Sequence, residues 1–211
     1  MSLFIPTYFA PISQYATIYK SDVITFEVED NYQKQTYRNR CYIYGANGKL
    51  ALNIPVKHKT KDGRKKTKDT LVENDFPWQQ QHFKSLQSAY RSSPFFEFFE
   101  DDLHTIFSKK YTFLQDLNID THLFVADALQ IDQQFSKTTS YELSPENTDF
   151  RSLAIAKKGV EIEMDSYIQM FDDKYGFIPN LSILDLLFME GANTISFLEK
   201  IIINTSFLKN K

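Results

Sequence analysis

Short apolar runs in the first third of the chain have the spacing of strands. The runs 3–9 and 23–28 are short and apolar or alternating, so both are predicted strands. Two further runs, 41–44 and 50–56, flank Gly45-Ala46-Asn47-Gly48. Asn-Gly between two such runs predicts a hairpin, because both residues accept positive φ.

From residue 77 onward the apolar positions recur at the spacing of helices. Five helices are predicted there: 78–91, 94–107, 113–128, 182–188 and 194–203. One earlier helix is predicted to follow Pro11. Weak strands are predicted at 70–73 and 160–163, and the polar stretch 136–149 is predicted to be a long loop.

The predicted strands lie mainly in the first part of the chain and the predicted helices mainly after it, which indicates a mixed α/β (α+β) fold. We expect a small N-terminal sheet with the Asn-Gly hairpin, followed by a mostly helical remainder. The length of 211 residues fits one domain, 1–211, that is sheet-rich over 1–76 and helix-rich over 77–211.

The formal net charge of −3 is unevenly distributed. Between Lys57 and Lys68 there are six lysines and Arg64 against one acid, Asp62, a local net charge of +6. An acidic body with one basic segment argues against a general nucleic-acid binder. That segment has the composition of a solvated loop, although a flap that closes over an anionic ligand, hinged at Gly63, is an alternative.

Several features indicate a protein of the cytoplasm. Cys41 is the single cysteine, so no disulfide can form within the chain. The N-terminus lacks the pattern of a signal peptide, and no apolar run reaches the roughly 20 residues of a membrane span. No spacing of His, Cys or acidic residues predicts a metal site, and no cofactor motif is found.

The segment 29–43 concentrates planar hydrogen-bonding groups ahead of the hairpin. On a strand Arg38 and Arg40 would project from one face and Asn39 from the other, with Lys34 in a turn upstream. Two arginines on one face can hold a phosphate or carboxylate with paired hydrogen bonds. The alternative is structural pairing with nearby acids, namely Glu27, Glu29 and Asp30.

The segment 78–102 carries the best candidate for proton transfer, His82. Ser93-Pro94 resembles a helix start, and Glu97 and Asp101 then lie one turn apart on a common face. The two carboxylates could act as acid and base, or could simply favour the positive end of the helix dipole. A histidine on a helix is also often a packed core residue.

The segment 167–191 is explained largely as architecture. Ser182 and Asp185 resemble a capping box, and Gly191 can end the helix in a left-handed conformation. Tyr167 and Gln169, which alternate on an expected strand, remain as candidates for binding.

These segments together resemble the WbqC-like family of bacteria. The likeness rests on Pro6-Thr7-Tyr8-Phe9-Ala10-Pro11 and on residues 29–43, 78–102 and 167–191. It implies a protein linked to surface-polysaccharide (O-antigen) gene clusters, in a family where some members carry a glycine or aminoacyl transferase label. Many members begin with His-Gln-Pro-x-Tyr, whereas this chain has Phe4-Ile5-Pro6-Thr7-Tyr8.

Two hypotheses follow, and the oligomeric state stays open in both. The first is a transferase-type enzyme that acts on an anionic sugar or acyl metabolite. Its predicted catalytic residues are His82, Lys34, Glu97 and Asp101, and its predicted ligand-binding residues are Arg38, Asn39, Arg40, Tyr8, Tyr32, Tyr90 and Gln169. The second is a non-enzymatic binding or assembly protein that uses the aromatic stretch 95–99 as a partner surface.

Overall fold

The computed structural model describes residues 1–57, 65–131, 134–157 and 162–203 and has the predicted mixed α/β fold. Its strands are β1 (Ser2–Phe4), β2 (Ile24–Phe26), β3 (Arg40–Gly45), β4 (Gly48–Asn53), β5 (Phe135–Lys137), β6 (Thr148–Asp149), β7 (Ile162–Glu163) and β8 (Ile202–Ile203). Its helices are α1 (Ile12–Tyr19), α2 (Trp78–Tyr90), α3 (Phe96–Ser108), α4 (Leu114–Ala128), α5 (Asp172–Tyr175), α6 (Ile183–Glu190) and α7 (Thr194–Lys200).

Four strands form one parallel sheet in the order β5-β2-β1-β6. β1 is central, since Leu3 pairs with Thr25 of β2 on one side and with Asp149 of β6 on the other. In chain order this arrangement is 3-2-1-4, so the order reverses between β1 and β6. Open parallel sheets bind ligands at the carboxyl ends of the strands beside such a reversal.

Two of these four strands lie in the stretch 136–149 or at its edge, which was wrongly predicted to be a loop. β5 and β6 are short, polar and at the two edges of the sheet, so they lack the apolar alternation that marks a strand. The expectation that the sheet comes mainly from the first third of the chain is corrected accordingly.

The predicted hairpin is confirmed and forms a separate two-stranded ladder of β3 and β4. Its two connecting residues are Ala46 and Asn47, and only Gly48 has a positive φ, of 90°. β3 begins at Arg40, so Arg38 lies in the turn before the strand. The two arginines therefore do not share a strand face as predicted.

The predicted helices are present with shifted ends. α3 begins after Phe95 rather than at a Ser93 cap, whereas α6 has the predicted cap, with the Ser182 hydroxyl accepting from the Leu184 amide at 3.3 Å. Gly191 ends α6 at φ 53°, and a Cβ there would come within 2.6 Å of the Phe95 ring. In place of a strand at 70–73, the structure has single bridges from Leu71 and Val72.

The main core joins the inner face of the hairpin to helices α2, α3, α4 and α6. Aromatic rings dominate where α2, α3 and α6 meet: Phe188 contacts Tyr90 and Phe96 with ring centroids 5.1 Å apart in both pairs. A smaller apolar cluster lies against the parallel sheet around Phe4 and Phe26. Within the described residues, no helix combines the length and apolar character needed to span a membrane.

Candidate functional site

Two chain segments, residues 65–68 and the turn 36–38, lie at the carboxyl ends of β1 and β2. Residues 65–68 run antiparallel to residues 28–32, which follow β2, with backbone hydrogen bonds from the Thr67 amide to the carbonyl of Asp30 (2.8 Å) and from the Tyr32 amide to the carbonyl of Lys65 (2.7 Å). The backbone carbonyl of Tyr37 accepts from the amide of Tyr8, and the backbone amide of Tyr37 donates to the carbonyl of Ala154, which follows β6 in the chain. The turn 36–38 is thereby fixed above the point where the strand order reverses.

A buried ion pair lies beneath this turn. The Arg38 guanidinium pairs with Asp30 through Nη2 and Oδ2, and its Nη1 donates to the Thr36 hydroxyl at 3.3 Å. Asn118, in the middle of α4, donates from Nδ2 to the carbonyls of Arg38 (2.9 Å) and Pro6 (3.0 Å). Three parts of the chain that are far apart in sequence thus meet at Arg38.

This region holds most of the buried polar atoms that lack a partner. Within the described residues, ten buried side-chain nitrogen or oxygen atoms make no hydrogen bond. Six of them belong to neighbouring residues that we call the Arg38 cluster: Asp30, Arg38, Asn39, Arg40, Thr67 and Asn118. Buried polar atoms in proteins are usually hydrogen-bonded, so such a concentration marks a candidate binding site.

Arg40 differs from the other cations at this end of the sheet. The residue is half-buried, its guanidinium has no ion pair or hydrogen bond among the described residues, and its Nε is buried. Burial raises the pKa of the neighbouring Tyr32 to about 12, while the charges of Arg38 and Arg40 act to lower it. Both arginines are therefore close to one tyrosine, although they do not share a strand.

Three other cations around the sheet end are paired within the protein. Lys66 and Lys68 both bind Glu29, and these hydrogen bonds lower the pKa of that carboxyl. Arg151 binds Asp149 at 2.8 Å and lies 3.7 Å from Glu27, which joins the ends of β2 and β6 across β1. Of the structural pairs that the alternative interpretation predicted for Arg38 and Arg40, the structure forms Arg38–Asp30, whereas Glu27 and Glu29 are paired with other cations.

The N-terminus of α1 does not provide a phosphate site at the strand reversal. The Ile12 amide donates to the carbonyl of Leu181 and the Ser13 amide to Oδ1 of Asn180, both at 2.9 Å. Phe4 and Ile5, at the positions where similar proteins often carry His-Gln, are buried apolar residues. The polar atoms available for a ligand are therefore those of the Arg38 cluster.

His82 is buried in a different place, in a contact with Tyr8. The Tyr8 hydroxyl lies 2.9 Å from Nδ1 of His82, and Nε2 lies 3.2 Å from the carbonyl of Asn53. Since the carbonyl can only accept, Nε2 carries the proton and Nδ1 accepts from Tyr8. Burial lowers the pKa of His82 to about 4, so the ring is neutral at pH 7.

Tyr90 and Gln169 belong to a third group, which we call the Asp185 cluster together with Tyr167 and Asp185. The Tyr90 hydroxyl donates to Oδ1 of Asp185 at 2.6 Å, and Tyr167 and Gln169 donate to Oδ2 at 2.5 and 2.9 Å. Burial raises the pKa of Asp185, against the effect of these three donors. Asp185 is engaged here and does not complete a capping box with Ser182.

The remaining predicted catalytic residues are exposed and apart from His82. Glu97 and Asp101 lie on the outer face of α3, and neither can orient His82, whose two ring nitrogens are bonded to Tyr8 and Asn53. Lys34 is exposed in the turn after Tyr32. The predicted set thus separates: Tyr32, Arg38, Asn39 and Arg40 are neighbours with Lys34 nearby, and the others are not.

Asp30, Thr67 and Asn118 were not predicted as members of a binding site. In the sequence, Asn118 stands out as an amide side chain among the apolar positions of α4, and Asp30 belongs to the polar segment 29–43. Thr67 has no signal beyond the basic segment around it. His58 and Gly63 of that segment lie outside the described residues. In the described part of the chain, no three His, Cys, Asp or Glu residues are grouped to hold a metal ion.

The parallel sheet with a polar cluster at its carboxyl end defines a mixed α/β protein with a candidate small-molecule site. The model of the WbqC-like protein family matches residues 6–169, which is most of the chain, and the protein belongs to that family. No curated protein and no solved structure matches the chain.

Proposed function

We propose that the protein binds an anionic small molecule at the Arg38 cluster and that this molecule is a substrate of a transfer reaction. The observation that carries the proposal is Arg40, a half-buried residue whose guanidinium has a buried Nε and no anionic partner among the described residues. Charges buried in proteins are normally paired, so a partly buried unpaired guanidinium favours an anionic partner from solution.

The neighbours of Arg40 support the same interpretation. Arg38 is held in place by Asp30 and Thr36, yet its Nε has no partner within the described residues and can still donate. Lys34, exposed in the nearby turn, would add charge that stabilises an anionic transition state. We leave His82 out of this proposal because both of its ring nitrogens are engaged in the core.

The candidate ligands are anionic sugars and acyl metabolites. A sugar phosphate, a nucleotide-sugar, a sugar acid or an acyl phosphate each offers a phosphate or carboxylate to a guanidinium. Surface-polysaccharide biosynthesis, the setting that the family resemblance implies, uses such compounds as donors and acceptors. The position at the carboxyl end of a parallel sheet is where small ligands commonly bind.

The test is ligand binding by the wild type and by two arginine variants. Arg40→Ala removes the unpaired guanidinium, and Arg91→Ala removes an exposed arginine just after α2 that pairs with Glu100. Thermal-shift and calorimetric measurements would use nucleotide-sugars, sugar phosphates and acyl phosphates. We expect Arg40→Ala to weaken binding by about 10- to 100-fold and Arg91→Ala to leave it unchanged. Equal binding by all three proteins would remove the basis of the proposal.

A second candidate function, assembly with another protein, is favoured by one observation. Phe98 is 75% exposed on α3, beside a pocket of about 400 Å³ lined by Phe95, Phe99 and Ile195. Phe96, by contrast, is fully buried, so it cannot serve as a partner surface. Sedimentation of the wild type and Phe98→Ser over a range of concentrations measures self-association. Identical monomeric behaviour of both would count against this candidate in its simplest form.

A further inference from the structure

The residues of the Arg38 cluster are connected to one another through their other atoms. Arg38 pairs with Asp30, the carbonyl of Asp30 accepts from the Thr67 amide, and Asn118 donates to the carbonyl of Arg38. Asn39 and Arg40 follow Arg38 in the chain. The six residues are therefore one connected group, and this group reaches the surface at the half-buried Arg40, beside the half-buried Tyr32.

These atoms include acceptors as well as donors. Among the described residues, Nε of Arg38 and Nε of Arg40 are donors without a partner, whereas Oδ1 of Asp30, Asn39 and Asn118 are acceptors without one. The amide orientations are fixed by their other ends, since Nδ2 of Asn39 donates to the carbonyl of Ile54 and Nδ2 of Asn118 donates to two carbonyls.

A bare anion would satisfy the two arginine donors of this site and none of the three acceptors. Phosphate and carboxylate oxygens accept from the two arginines but cannot donate to Asp30, Asn39 or Asn118. An acceptor that stays unpaired in a buried site costs binding free energy, so the site favours a ligand that brings its own donors. Asp30 and Asn118 are only 6% and 1% exposed, so few other donors can reach them.

We propose that the ligand of this site is a polyhydroxylated anion, whose hydroxyl groups donate to Asp30, Asn39 and Asn118 while its phosphate or carboxylate binds Arg40 and Nε of Arg38. This inference rests on the proposed function and selects sugar phosphates and sugar acids over acyl phosphates. The Thr67 hydroxyl, which is buried and has no partner within the described residues, completes the site.

The experiment compares ligands that share an anionic group and differ in hydroxyls. Calorimetry on the full chain would use glucose 1-phosphate, glucose 6-phosphate and glucuronate, with cyclohexyl phosphate as a ring of equal size that lacks hydroxyl groups. We expect at least one sugar anion to bind about 100-fold or more tightly than cyclohexyl phosphate, because sites built to bond a hydroxyl reject analogues without it. The glucuronate arm distinguishes a carboxylate from a phosphate.

A matched pair of threonine variants tests the site itself. Thr67→Val keeps the shape of the side chain and removes its unpartnered hydroxyl. Thr105→Val is the same substitution on the exposed face of α3, where the hydroxyl donates to the carbonyl of Asp101 within the helix. We expect Thr67→Val to weaken binding of the sugar anion about tenfold, with no change for cyclohexyl phosphate or for Thr105→Val.

The possible results separate this inference from the proposed function. If cyclohexyl phosphate binds as tightly as every sugar anion and Arg40→Ala weakens both, the anion site stands and the hydroxyl selectivity is wrong. The unpartnered acceptors would then be satisfied by water. If none of the four compounds binds, the inference of a polyhydroxylated anion fails, and the proposed function fails with it only if nucleotide-sugars, acyl phosphates and inorganic phosphate do not bind either.

Discussion

The Asp185 cluster and the Arg38 cluster are both buried polar groups built around a carboxylate, yet they differ in how completely they are bonded. Every side-chain oxygen and nitrogen of Tyr90, Tyr167, Gln169 and Asp185 has a hydrogen bond, and the Tyr90 hydroxyl also accepts from the amide of Tyr44. In the Arg38 cluster six residues each retain a buried atom with no partner among the described residues.

This difference separates a polar group that builds the fold from one that is prepared for a ligand. A satisfied network stabilises one packing of the core, because any change leaves donors or acceptors unpaired. An unsatisfied group costs stability in the absence of a partner and gains affinity when the partner arrives. We therefore expect substitutions in the Asp185 cluster to change stability, and substitutions of the unpartnered atoms to change binding.

The largest effect is expected from removing the carboxylate of the satisfied cluster. Asp185→Ala leaves the hydroxyls of Tyr90 and Tyr167 and the amide of Gln169 without their acceptor. We expect the free energy of unfolding to fall by about 3 to 5 kcal/mol, as for other broken buried networks. Urea denaturation measures this loss. A loss of less than about 1 kcal/mol would mean that the Asp185 cluster contributes no more to stability than the Arg38 cluster does.

Acid pH provides the next test, on the buried pair of Tyr8 and His82. The pKa of His82 is lowered to about 4, so the unfolded chain takes up a proton near pH 6.5 while the folded chain does not. Stability should therefore fall as the pH drops from about 6.5 to 4, by about 3 kcal/mol for this residue.

The control for the acid test is His82→Gln, whose amide can donate to the carbonyl of Asn53 and accept from Tyr8 without titrating. Unfolding curves at pH 7, 5.5 and 4.5 should show a shallower acid decline in the variant than in the wild type. Parallel declines would mean that His82 is not a buried neutral ring.

A smaller effect is expected from removing one donor of the Asp185 cluster. Tyr167→Phe keeps the ring, which packs edge-to-face on Phe177 and Phe197, and deletes the hydroxyl that donates to Oδ2. A loss of about 2 kcal/mol in the free energy of unfolding is expected, because the carboxylate retains Gln169 and Tyr90. Tyr175→Phe, at an exposed tyrosine of α5, is the control and should be neutral.

The smallest effect on stability is expected in the Arg38 cluster. Thr67→Val removes a buried hydroxyl that has no partner in the described part of the chain, so no hydrogen bond is lost. Its free energy of unfolding should stay within about 0.5 kcal/mol of the wild type, or rise. A loss comparable to that of Tyr167→Phe would show that the Thr67 hydroxyl is bonded within the protein.

Local signals predicted much of the fold. The hairpin turn and the helices follow from spacing and turn residues, and Ser182 and Gly191 bound α6 as predicted. β5 and β6 were not predictable, because a short polar edge strand is defined by the neighbour it pairs with rather than by its own composition.

The candidate site was predicted only in part, for a related reason. Arg38, Asn39 and Arg40 are adjacent in sequence, and their polar density was a sufficient signal. Asn118 joins them through a tertiary contact across eighty residues, which no local pattern contains. Tyr90 and Gln169 have the same chemistry as binding residues, and only their complete bonding to Asp185 identifies them as part of the core.

The strand order of the parallel sheet also has a consequence for how the chain folds during synthesis. β1 and β2 are available within the first 26 residues, but both outer neighbours are supplied by residues 135–149. Until that stretch leaves the ribosome, the outer edges of these two inner strands are unpaired. Such distant pairing slows folding, so we expect the sheet to form late and the β3–β4 hairpin to form early.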